Sequence, residues 1–175
     1  MKIPWIICLF LFFRHGVVLG FSCDIQVNIF SESNVRYAEI SYYIPTDDLI
    51  KLYHADSSYN HRIFLTLVLK SQNKIIRADK VQLQDAPGKD CKPMLYLVRW
   101  ELSPGQYELE TILNETGQED QSFSIVKNFE VTPPSGNAEI SDIQLLSTVK
   151  PSLDSSSPMV KRGFYFEPIA FGIAT

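Results

Sequence analysis

The chain has 175 residues, a formal net charge of −4 and a sequence pI near 5.4, so it lacks the basic footprint that phosphate contacts require and nucleic acid is not an expected partner. The one local basic group, Lys161-Arg162, is too short to change that. Without its leader the chain keeps roughly 150 residues, enough for one domain or one and a fraction.

The leader comes first in chain order. Lys2 precedes the apolar run Ile3 to Phe13, which Arg14-His15 interrupts, and Gly20 offers a small residue near a plausible cut. A membrane-spanning helix needs ~20 apolar residues, whereas a charged start and a shorter apolar core describe a signal peptide. Residues 1–22 are therefore expected to be removed on export. Of the three cysteines, Cys8 falls in that leader, leaving Cys23 and Cys91. In an oxidising compartment these two could pair and clip the first strand to the middle of the domain. Alternatively, Cys23 is the first mature residue of a bacterial lipoprotein and carries a lipid anchor, although Gly20-Phe21-Ser22 matches a lipobox only at Ser22. Two unpaired thiols are the third option. Cys91, in the loop-like DAPGKDCKP, has no nearby histidine to activate it as a nucleophile.

From Cys23 onward the apolar pattern has period two. Ile25, Val27 and Ile29 alternate, as do Ala38, Ile40, Tyr42 and Ile44; IFLTLVLK places Ile63, Leu65, Leu67 and Leu69 on one face with Phe64 and Val68 on the other. Further candidates are 74–84, 94–102, 106–113, 120–131 and 139–147. Such alternation predicts half-buried strands, and IFLTLVLK, apolar on both faces, predicts a central one. Gln72-Asn73, Pro87-Gly88, Pro104-Gly105, Thr116-Gly117 and Pro133-Pro134 punctuate the boundaries. Seven or eight short strands so spaced predict an all-β, antiparallel, immunoglobulin-like β-sandwich over residues 23–132, with a closed barrel as the alternative. Within RWELSPGQYELETIL, Trp100, Leu102, Tyr107 and Leu109 are expected to face inward across a hairpin with Pro104 and Gly105 at its corner, because a slip of one residue would bury Arg99, Glu101 and Glu108. Residues 133–175 read as a linker, a strand over 139–147, a Ser/Pro-rich loop and the aromatic segment KRGFYFEPIAFGIAT, which has no following strand to pair with. On that reading it is the incomplete start of a second β region, and removing residues 148–175 is expected to raise soluble yield.

No constellation here spells an active site, and no cofactor is expected. His54 and His61 flank Asp56 at a spacing that fits no standard zinc site, and Glu101, Glu108 and Glu110 fall on the polar face of a strand pair where cross-strand ion pairing is ordinary. Serines are plentiful, but no Gly-x-Ser-x-Gly elbow occurs. Asn114-Glu115-Thr116 is a glycosylation sequon, relevant only in a eukaryotic secretory context. Tyrosines are more suggestive: five of eight fall between residues 37 and 59, and Tyr37 and Tyr43 share one face of a strand while Tyr42 takes the other. With Tyr53 and Tyr59 they could form a contact surface for protein or carbohydrate, or pack beneath another layer.

Taken in series, AEISYYIPTDDLIKL (38–52), Tyr59 ahead of IFLTLVLK, LSPGQYELE (102–110) and ISDIQLLS (140–147) resemble the N-terminal β-rich region of the bacterial GWxTD-domain proteins over roughly residues 35–147. The resemblance implies an exported envelope protein of uncharacterised role. The Gly-Trp-x-Thr-Asp motif is absent, since neither Trp5 nor Trp100 sits in one, so no functional residue carries over and the chain reads as the front part of a longer protein. The expectation is an exported, non-enzymatic β-sandwich module, periplasmic or extracellular, with a structural or protein-binding role in the cell envelope. Its partner would be another envelope protein or a missing C-terminal domain, and it would meet a membrane only through a lipid anchor. A carbohydrate-binding module using the tyrosines of residues 37–59 is the alternative.

Overall fold

The computed structural model describes residues 22–32, 35–45, 62–84, 93–115, 122–134, 140–154 and 156–169. The leader, the His54/Asp56/His61 loop, Tyr53, Tyr59 and Cys91 lie outside the described residues. Seven strands build two antiparallel sheets. The first contains β1 (Asp24–Glu32), β2 (Val35–Ile44) and β5 (Met94–Glu101), in the order β1-β2-β5. The second contains β3 (Arg62–Ser71), β4 (Lys74–Gln84), β6 (Gly105–Glu115) and β7 (Phe123–Val131), in the order β4-β3-β6-β7.

Alternation does what its period requires. Ala38, Ile40, Tyr42 and Ile44 of the first sheet and Ile63, Leu65, Leu67, Leu69 and Leu109 of the second are buried, and they form one core with Ile25, Trp100 and Leu113. Tyr42 crosses that core to place its hydroxyl 3.4 Å from Thr111 Oγ1, which satisfies two polar groups that would otherwise be costly to bury. The β3–β4 connection is a two-residue turn with Gln72 at φ 50° and Asn73 at φ 61°, the doubly left-handed geometry that matches strand twist in tight hairpins. The protein is thus an antiparallel β-sandwich of immunoglobulin-like type, as the spacing of its strands predicts.

The segment around Pro104-Gly105 corrects the expected hairpin. Trp100, Leu102, Tyr107 and Leu109 do face inward, but β5 pairs with β2 and β6 pairs with β3 and β7. The chain therefore crosses from one sheet to the other here, so these side chains meet across the core instead of lying side by side. Leu102 N extends the first sheet by donating to Arg36 O (3.0 Å). Past the corner, the Tyr107 hydroxyl donates back to Ser103 O at 2.6 Å. That bond is the tyrosine corner of immunoglobulin-like sandwiches, and it pins an inter-sheet crossing.

A third sheet follows, made of β8 (Leu146–Pro151), β9 (Val160–Lys161) and β10 (Phe164–Pro168), in the order β8-β10-β9. Two sequence expectations change. The strand expected over 139–147 begins only at Leu146; Ile140 and Ile143 are 90% and 80% exposed, and Asp142 between them caps the first sheet instead, accepting from Ile29 N through Oδ2 (2.7 Å) and donating its own N–H to Ile29 O (3.0 Å). The aromatic segment expected to lack a partner is paired on both sides, with Phe166 opposite Val149 and Phe164 opposite both Pro151 and Lys161.

Candidate functional site

The face of the first sheet that points away from the sandwich has an unusual composition. Cross-strand register puts Phe30 beside Tyr37, Glu39 between Asn28 and Arg99, and Ser41 beside Leu97. An outward face of this kind is normally solvated, yet Glu39, Ser41 and Leu97 are 1%, 6% and 3% exposed. The third sheet lies over them. Lys161 of β9 reaches Glu39 Oε2 at 2.6 Å, Pro168 and Ile169 close over Ser41, Tyr43 and Leu95, and Gln26 Nε2 donates to Ile169 O at 2.6 Å.

At one end the two layers diverge and leave an open cleft of about 780 Å3. Phe30 and Tyr37, with ring centroids 5.7 Å apart, form the wall on the first sheet. Phe164 and Phe166, 6.5 Å apart, form the wall on the third. Arg99 and Lys161 line the space between them and converge on the buried Glu39 behind it: Arg99 Nε donates to Glu39 Oε2 at 2.7 Å, so one carboxylate oxygen holds two cations. The Lys161 ammonium also sits 5.0 Å from the centre of the Phe30 ring, a cation–π contact. Burial pushes the Glu39 carboxyl up, but hydrogen bonds from Lys161 and Arg99 outweigh it and hold the group below the ordinary carboxylate range. Burial, then the Glu39 charge, pushes the Tyr37 hydroxyl up. Arg162 stands at the rim with its side chain 89% exposed, 3.5 Å from a carboxylate oxygen of Glu32, itself 65% exposed.

Of the sequence-derived contact residues, Tyr37 is a cleft wall and Tyr43 lies under Pro168 and Ile169. Of the two described tyrosines of that face, one is thus open to the cleft and the other covered; Tyr53 and Tyr59 lie outside the described residues. Phe30, Arg99, Phe164 and Phe166 went unrecognised as site residues; the alternating aromatics of FYF and the adjacent Lys161-Arg162 pair were the available signals. The three glutamates do not assemble. Glu108 and Glu110 share Lys70, at 3.1 and 2.8 Å, while Glu101 belongs to the other sheet. Cys23 is a free thiol whose pKa burial, then the neighbouring Asp24 charge, pushes up to about 12.

No protein-family model matches the chain, and no curated protein matches it. Among solved structures it is similar to Northeast Structural Genomics Consortium target SoR45, at 10% identity over 71% of this chain and 95% of that one, with a TM-score of 0.31.

Proposed function

We propose that this protein is an exported, non-enzymatic β-sandwich module with a structural or protein-binding role in the cell envelope, and that the cleft is its contact surface. One observation carries the reading: two ring pairs, supplied by two different sheets, face a shared space that is open to solvent. Opposed aromatic walls with polar groups between them are suited to grip a side chain of a partner. The buried Glu39 carboxylate behind the cleft is committed to two cations, which favours binding over proton transfer. Export is supported by the expected leader over residues 1–22 and by the resemblance to GWxTD-domain proteins. For the carbohydrate reading, Tyr37 is the one tyrosine of residues 37–59 that lines the cleft among the described residues.

The test is selection of a displayed random-peptide library on the immobilised mature chain, with a glycan array run beside it. Peptides should enrich and be lost on Tyr37→Ala or Phe164→Ala. Array signals without peptide enrichment would instead establish the carbohydrate module, and peptides indifferent to both substitutions would remove the cleft from the account.

A further inference from the structure

Charge in the cleft is unbalanced. Among the described residues, Arg99, Lys161 and Arg162 line the cleft with Glu32 as the one carboxylate beside them and the buried Glu39 behind, so the cleft is cationic on a chain whose net charge is −4. Its donors also outnumber its acceptors. Glu39 Oε2 already takes Arg99 Nε and Lys161 Nζ, while Arg99 Nη2 and the Asn28 Nδ2 beside Glu39 are buried with no acceptor among the described residues. Buried donors without acceptors are rare and costly, and they bias this floor toward negative charge. At the rim, the ion pair between Arg162 and Glu32 joins two exposed groups at 3.5 Å, a contact of little worth that a better-placed carboxylate displaces.

The turn that carries Arg162 points the same way. Arg162 at φ 51° and Gly163 at φ 80° join β9 to β10, a doubly left-handed turn in which asparagine or aspartate usually takes the first position. A Cβ on Gly163 would meet nothing within 4 Å, so glycine serves conformation there, not packing. An arginine held left-handed gives up local stability, and it sets a guanidinium at the cleft mouth on a hairpin whose ends are hydrogen-bonded, Ser152 N to Gly163 O and Phe166 N to Met159 O, both at 2.9 Å.

We infer that the cleft takes an acidic, extended peptide segment of a partner protein, with an apolar side chain between the Phe30/Tyr37 and Phe164/Phe166 walls and a carboxylate on Arg162. The inference rests on the reading of the cleft as a contact surface. A neutral glycan would leave the surplus cation of Arg99, Lys161 and Arg162 without a counter-charge. An acidic peptide uses both features, since a guanidinium–carboxylate pair adds charge-assisted hydrogen bonds to apolar contact.

The probe is a fluorescein-labelled eight-residue peptide of alternating glutamate and phenylalanine, compared by fluorescence polarisation on the full mature chain with its glutamine–phenylalanine counterpart. The glutamate peptide should bind on the order of tenfold more tightly, and Arg162→Glu or Phe164→Ala should each cost about that factor. The Arg162 side chain is 89% exposed and Phe164 is 45% exposed outside the sandwich core, so near-unchanged circular dichroism is expected and confirms that the variants are folded. Equal binding of the two peptides, abolished by Phe164→Ala, would overturn the acidic preference while leaving the cleft as a contact surface. Binding indifferent to Arg162→Glu, or no binding of either peptide, overturns the inference. Competition by oligogalacturonate at lower concentration than by the peptide would also overturn it, in favour of a sugar acid.

Discussion

Glu39 is where sequence, packing and charge meet. At 1% exposure, a carboxylate stays ionised only if its surroundings replace the lost water, and here Arg99 and Lys161, each with a side chain 30% exposed, converge on the same oxygen. Substituting Glu39→Gln should leave two cations without their counter-charge and cost about 3 kcal/mol in urea denaturation, the low end for a broken buried pair because both partners can regain water. The same residue sets a pH dependence. Its folded pKa lies below the ordinary value of 4.5, so its stabilisation is complete above that value and is lost as pH falls through the folded pKa. Unfolding free energy of the wild type should therefore drop more steeply than that of Glu39→Gln as pH falls below the ordinary value; parallel curves would show that the pair contributes nothing. Cys23 obeys the opposite logic. With its pKa pushed up to about 12, the thiol stays protonated at neutral pH, and only the thiolate is nucleophilic. Iodoacetamide labelling followed by peptide mass mapping should be slower in the native chain than in urea by on the order of a hundredfold. Comparable rates would show that the thiol is not shielded.

At the scale of elements, the open edges of the sheets are managed by side chains. Among the described residues β1 has no neighbouring strand beyond β2, but its backbone is capped: Asp142 binds Ile29 on both N–H and C=O, Ser141 Oγ accepts from Ser31 N at 3.3 Å, and Lys127 of β7 donates to Ile25 O at 2.6 Å. β4, the edge of the second sheet, carries Lys74, Arg77 and Lys80 and a break in register at Ile76, both of which discourage edge-to-edge pairing. Asp142→Ala should cost about 1 kcal/mol through the lost bond to Ile29 N and raise light scattering at high concentration. A variant that loses stability without added scattering would show that β1 is guarded elsewhere. Strand positions and inward faces were legible in the sequence because period two and a buried face leave one register, as for Trp100, Leu102, Tyr107 and Leu109. Sheet membership was not, since a Pro-Gly corner reads alike whether the chain turns within a sheet or crosses between two. The segment 139–147 misled because Ile143 and Leu145 alternate like core residues while lying exposed.

For the whole molecule, the deciding feature is a third layer, and it was invisible in the sequence for a physical reason. Nothing local to Glu39 announces Lys161, and nothing in FYF announces Phe30 and Tyr37; the cleft exists only once β8, β9 and β10 pair and dock. Docking reverses the expected effect of trimming the chain. Residues 148–175 include most of β8 and all of β9 and β10, and with them go the Lys161 partner of Glu39 and the Pro168 and Ile169 cover of Ser41, Tyr43 and Leu95. Against this stands the conformational entropy regained by the removed segment, which offsets part of the loss. Uncovering Leu97 and its neighbours costs about 1.5–3 kcal/mol per large apolar side chain, and halving the cation pair around Glu39 adds to it. Deleting 148–175 should therefore lower the unfolding free energy by about 2–4 kcal/mol and reduce soluble yield, because the outer face of the first sheet becomes an apolar surface with a buried-type carboxylate in it. A truncated chain that unfolds at the same urea concentration as the full one would mean that the third sheet rests on the sandwich without stabilising it. In that event Lys161→Ala should also be silent in the full chain, whereas a stabilising layer requires both changes to register.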